Sequence, residues 1–192
     1  MNGRTLTFLD VDGVLNRDRW YEEHPDADKH WPEMHLDPVL CARVQAALPP
    51  ETELVLSSTW RKLLNLEDLG VLLTERGLTA PLVGHTPVMW AAENAHVVGD
   101  TPWRQIGRGL EIQWWLRTFV PDLAAARVAV LDDDADMGQM MPWLVRTNTQ
   151  LGFLPKQAFR LQKVLSKPMG GVRWRLNALA GVLDERYPPV CL

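Results

Sequence analysis

The sequence predicts a single three-layer α/β domain built on a mostly parallel sheet. Three observations carry that reading. Short apolar runs, Leu6 to Leu9, Leu54 to Leu56 and Val128 to Leu131, alternate with stretches whose apolar residues recur at helical spacing. Acids and hydroxyls collect where those runs end: Asp10 and Asp12, then Ser57, Ser58 and Thr59, then Asp132 to Asp136. Carboxyl ends of parallel strands are where open α/β sheets bind their ligands.

The chain has 192 residues, enough for one ordinary domain with a full core. Hydrophobic residues make up 46% and charged residues 23%, which is globular composition. The net charge is −4, so no global basic field exists for a long nucleic acid, although a local basic patch stays open. Cys41 and Cys191 lie far apart and match no metal or redox spacing. Idle thiols, no signal-peptide pattern and no membrane-spanning run point to the cytoplasm. Nine Trp stand against two Tyr. Trp is ordinarily core or interface; stacking on a base is the sharper alternative.

The first strand ends in Asp10-Val11-Asp12-Gly13. If the strand continues, both acids face one way. If it stops at Asp10, they meet where strand becomes loop. Crowded carboxylates repel, and a hard cation such as Mg2+ relieves the repulsion. A polar turn is the bland alternative, since Asp and Gly are ordinary turn residues.

Residues 17–38 are polar and broken by Pro25, Pro32 and Pro38, which predicts a loop over the site. His24, His30 and His35 fit no standard zinc spacing. Asp37-Pro38 reads as a helix N-cap with Pro at the first position, and Pro49-Pro50 as its stop. The strand Glu53 to Leu56 follows, then Ser57-Ser58-Thr59-Trp60-Arg61. Hydroxyls at a strand end before a helix make a phosphate cradle, and an N-capping serine is the plain alternative. Arg61 could hold a second phosphate or form an ion pair.

Leu63 to Arg76 has helical spacing with Gly77 as its C-cap. Pro81 to Gly84 reads as a short strand. Residues 85–107 read as loop, with a small strand at Ala95 to Val98. A helix opens at Arg108-Gly109, its buried face carried by Ile112, Trp115, Leu116 and Phe119. A cation there does not suit the helix dipole, which hints at an external anion. Arg127 to Leu131 is the strand behind Asp132-Asp133-Asp134-Ala135-Asp136, an acidic cluster that is costly unless a cation or solvent balances it. Trp143 to Thr147 gives a last core strand and Pro155 to Leu165 a closing helix. Residues 1–166 form the domain. Residues 167–192 read as an extension whose helix carries Leu176, Leu179, Ala180 and Leu183 on one face.

The stretch from Phe8 to Asn16 resembles the first motif of the haloacid dehalogenase (HAD) superfamily of phosphatases. Leu-Ser-Ser-Thr-Trp-Arg resembles its subgroup of HAD domains associated with RNA repair proteins. The resemblance covers about residues 4–165. It implies a Rossmann-like core with no large cap domain and a Mg2+-dependent phosphomonoester hydrolase. By the superfamily pattern Asp10 is the nucleophile and Asp12 the proton shuttle. Ser58 binds phosphate, with Thr59 in the small-residue place and Ser57 the alternative by one residue. Arg108 takes the third-motif place, with Arg104 its competitor, and is expected to help keep the nucleophile ionised. Mg2+ is implied on Asp10, the backbone carbonyl of Asp12, and the pair Asp132 and Asp133, with Asp133 first. The implied partner is a phosphorylated substrate, a nucleotide or an oligonucleotide end. A small-metabolite phosphatase and a catalytically silent binding module are the alternatives.

Overall fold

The computed structural model describes residues 3–24, 35–92, 103–171 and 182–192. Strand β1 (Thr5–Leu9) is wholly buried and lies inside a six-stranded sheet. Its neighbours are β2 (Thr52–Leu56) and β6 (Arg127–Asp132), both parallel to it. The sheet continues to β7 (Leu144–Arg146) on one side and β3 (Leu82–His85) on the other, again parallel. Among the described strands of this sheet, β9 (Val190–Cys191), which pairs with β3, alone runs antiparallel. The order is β7-β6-β1-β2-β3-β9, with β1 inside the sheet.

Alternation along the strands makes the three layers. Leu6 and Phe8 of β1 join Val55, Val128 and Val130 in one core. Helix α4 (Arg108–Phe119) closes that face with Ile112, Trp115 and Leu116. Leu9, Leu54, Leu56, Ala129 and Leu131 point the other way. They pack under α2 (Pro38–Ala47), α3 (Leu66–Glu75) and α5 (Pro155–Leu165) through Cys41, Val44, Leu69, Leu73, Leu161 and Leu165. A strand buried on both faces reads as a nearly continuous apolar run, as these do.

The helix ends follow local chemistry. Asp37 accepts from the Val39 N–H at 2.8 Å and Pro38 opens α2. Asn65 caps α3, which therefore starts at Leu66; Leu63 and Leu64 instead close a 3-10 turn over Thr59–Lys62 by donating to the Trp60 carbonyl. Gly77, at φ +89°, takes the left-handed position that stops α3. Among the described residues, the segment after the first strand holds one short helix, α1 (Asp18–Glu23).

Two segments differ from expectation. Within 85–107 the chain forms β4 (Met89–Ala92) and β5 (Trp103–Gln105), an antiparallel pair. Pairing satisfies backbone groups that a loop would leave to water. The expected strand at 95–98 lies outside the described residues. Leu183, expected on a helix, belongs to β8 (Val182–Leu183), which pairs with β4 and completes a three-stranded sheet. Leu176, Leu179 and Ala180 lie outside the described residues. No separate cap domain is seen among the described residues.

Candidate active site

Parallel register aligns three strand ends. Leu9 faces Leu56 on one side and Leu131 on the other. The next residues, Asp10, Ser57 and Asp132, therefore stand in a row at the carboxyl edge. The Asp10 N–H donates to the Leu131 carbonyl at 2.9 Å, and the Ser57 N–H to the Leu9 carbonyl at 2.8 Å.

Asp10 is buried. One carboxylate oxygen accepts from the Val11 N–H at 2.8 Å, and the other meets Arg108. The Ser58 side chain bonds the same carboxyl. Burial pushes the Asp10 pKa upward, and Arg108, Ser58 and the Val11 N–H pull it back. Burial wins, so Arg108 acts in the expected direction without by itself keeping the carboxyl in its usual range.

The strand stops at Asp10, and Val11 to Leu15 form a turn closed by the Leu15 N–H on the Val11 carbonyl. Asp12 sits exposed on this turn. Its carboxylate accepts from Trp60 Nε1 at 3.2 Å and from Asn16 Nδ2 at 2.8 Å. Asn16 Oδ1 in turn accepts from the Gly13 N–H at 2.9 Å. Gly13 has φ +70°, and a Cβ there would lie 2.5 Å from Asp133 Oδ2. Only glycine lets this turn lie against that acid.

Asp10, Asp132 and Asp133 each offer an oxygen, and these oxygens all lie within 4.8 Å of one another. Asp132 is fully buried; burial and the neighbouring Asp10 push its pKa up to about 7. Asp133 is half-buried and accepts from Thr149 Oγ1 at 2.8 Å. An all-oxygen set of crowded acids fits a hard divalent cation. The Asp12 side chain is not in this group. Asp134 caps the turn, its N–H on Asp132 Oδ1 at 2.8 Å.

Arg108 Nη1 donates to the Ser57 carbonyl at 2.7 Å and to Asp132 Oδ2 at 2.8 Å. These bonds, with Asp10, make it the cation of the cluster, and the acids hold its pKa above the ordinary value. Gly107 and Gly109 allow the placement: a Cβ on Gly107 would meet the Asp136 carboxylate, and one on Gly109 the Met137 carbonyl. The competing Arg104 lies in β5 opposite Ala91. Among the hydroxyls, Ser58 touches Asp10 and accepts from the Trp60 N–H at 3.4 Å, whereas Ser57 Oγ is buried with no hydrogen-bond partner among the described residues and Thr59 is exposed.

Arg61 forms the ion pair rather than a phosphate contact. Its side chain is 1% exposed and meets Glu111 Oε2, itself 0% exposed, at 2.7 Å. Arg61 Nη1 also donates to the Ser58 carbonyl at 2.8 Å, and Glu111 Oε1 accepts from the Met89 N–H at 3.2 Å. Sequence reasoning missed Trp60 and Asn16 as holders of Asp12, and Glu111 as the partner of Arg61. The last had a signal: Glu111 lies four residues before Trp115, on the buried face of α4.

Residues 6–158 match the family model of the HAD domain in Swiss Army Knife RNA repair proteins. The chain belongs to this family. No curated protein and no solved structure matches it. Family and cluster together make this a HAD domain with a carboxylate triad suited to a metal ion. No helix among the described residues is long and apolar enough to cross a membrane.

Proposed function

We propose that this HAD domain hydrolyses a phosphomonoester at the end of a nucleotide or nucleic acid, with Mg2+ and an aspartyl-phosphate intermediate. The observation that carries it is Asp10 at the carboxyl end of the central strand, grouped with Asp132 and Asp133 and touched by Arg108. The RNA-repair family supports the substrate class.

Asp10 attacks phosphorus in line, forming a carboxyl–phosphorus bond as the ester P–O bond breaks. Asp12, on the adjacent turn, gives its proton to the leaving oxygen. It then takes a proton from water, whose oxygen attacks phosphorus, releasing inorganic phosphate and restoring the Asp10 carboxylate. Ser58 and Arg108 hold the negative charge of the transferring group. Asp10, Asp133 and the Asp12 carbonyl, with Asp132 behind, would hold Mg2+, which supplies charge neutralisation at the phosphoryl oxygens. Trp60 and Asn16 fix the Asp12 carboxylate. The test is phosphate release from 3′- and 5′-phosphorylated oligonucleotides, mononucleotides and sugar phosphates. Release that depends on Mg2+ and favours an oligonucleotide end is the expected result; release from sugar phosphates alone would overturn the substrate class.

A further inference from the structure

The turn after Ser58 ends in a cation that pairs with no acid among the described residues. Lys62 closes the 3-10 turn Thr59–Lys62, four residues after Ser58. Its ammonium lies 5.9 Å from the Trp90 ring centroid and 5.8 Å from that of Tyr187. Among the described residues it enters no ion pair, while the neighbouring cations are committed: Arg61 to Glu111, and Arg186 to Asp184 at 2.8 Å. Asp184 is occupied a second time by Trp90 Nε1 at 3.0 Å.

The aromatic wall is assembled from two distant parts of the chain. Trp90 lies on β4. Tyr187 belongs to the C-terminal segment, beyond residue 158 where the family match ends. That segment is tied to β4: the Val88 N–H donates to the Tyr187 carbonyl at 3.3 Å, and the Asp184 N–H to the Val88 carbonyl at 2.8 Å. The chain leading into β4 passes the carboxyl end of β2, where the Thr86 N–H bonds the Leu56 carbonyl at 2.9 Å. Ser57 and Ser58 leave the same strand end.

Resting on the hydrolase reading above, we propose that Lys62 binds a second phosphate of the substrate, so that the site selects nucleotides carrying two separate phosphate groups. Facing rings order a lysine without cancelling its charge. An ordered ammonium serves as a point charge for phosphate. A 3-10 turn rises about 2.0 Å per residue, so the backbone of Lys62 lies roughly 8 Å or less along the chain from that of Ser58. Ser58 and Arg108 serve the scissile phosphate; Lys62, at the end of the same turn, serves the second. Trp90 and Tyr187 are positioning residues for it, and the C-terminal segment thereby supplies part of the substrate site.

The experiment compares a nucleoside 3′,5′-bisphosphate with the two corresponding monophosphates. kcat/KM is measured for turnover, and Kd by calorimetry on Asp10→Asn protein. Wild type should favour the bisphosphate by about tenfold or more. Lys62→Ala should bring the ratio to within about twofold of unity, Lys62→Arg should keep part of it, and Tyr187→Ala should lower it. Each ratio is internal to one protein, so a partial folding defect does not imitate the result. No bisphosphate preference in wild type, or a preference that survives Lys62→Ala, overturns the assignment. Binding preference that depends on Lys62 without turnover would sink the hydrolase reading and leave this one standing.

Discussion

Arg61 and Glu111 form a sealed ion pair at 2.7 Å that joins the Ser58 turn to α4, the helix that begins with Arg108. Glu111 also accepts from Met89 at the start of β4. One pair therefore sets the relative position of the Ser58 turn, the helix that carries Arg108 and the strand beside them.

Removing one partner strands the other. Glu111→Ala should destabilise the fold by about 3–5 kcal/mol, because an uncompensated guanidinium stays buried. The double change Arg61→Met with Glu111→Leu should cost clearly less than the two single changes summed. Denaturant unfolding of wild type, Glu111→Ala, the two single changes and the double change checks this. A Glu111→Ala protein as stable as wild type would show that water or another acid reaches Arg61.

Arg108 pairs with both Asp10 and Asp132. Arg108→Ala should lower kcat by about 100- to 1000-fold, the usual loss for one preorganised donor. Arg108→Lys should recover part of it. Steady-state kinetics at saturating Mg2+ is the check, and an unchanged kcat would remove Arg108 from the mechanism.

Asp12 depends on its two anchors. Trp60→Phe keeps the ring and deletes the Nε1–H that bonds the carboxylate at 3.2 Å. kcat should fall about 10- to 100-fold with KM nearly unchanged, since a small misplacement of a proton-transfer group costs that much. A rise in KM at constant kcat would instead make Trp60 a binding residue.

The buried acids also set a pH dependence. Asp132 has its pKa raised to about 7, chiefly by burial, and Asp10 moves in the same direction. A raised folded-state pKa gives stability that is fully present below the unfolded value and is lost as pH rises through the folded value. Metal-free protein should therefore lose thermal stability from about pH 4 to about pH 7. Asp132→Asn should flatten that part of the curve. Mg2+ added at pH 7.5 should raise Tm, because it favours the ionised acids. Equal slopes in wild type and Asp132→Asn would contradict the assignment.

Much of the site was legible because strand ends punctuate the sequence. Asp10, Ser57 and Asp132 each follow an apolar run, and parallel pairing with Leu9 opposite Leu56 and Leu131 brings them together. Arg108-Gly109 was legible as a cation out of place at a helix start. What stayed hidden is non-local. Nothing near Asp12 announces that Trp60 will bond it across the turn, and nothing near Arg61 announces Glu111. The pairing of Val190–Cys191 with β3 and of Val182–Leu183 with β4 was also hidden, because each strand is two residues long. Runs that short carry no periodicity; only the partner edge makes them strands.

The most direct measurement is Mg2+-dependent phosphate release by wild type and by Asp10→Asn across the panel of oligonucleotide ends, mononucleotides and sugar phosphates. The account predicts release by wild type, none after chelation, and loss of turnover in Asp10→Asn with the melting transition retained. An Asp10→Asn protein that still hydrolyses a phosphomonoester at the wild-type rate would contradict it.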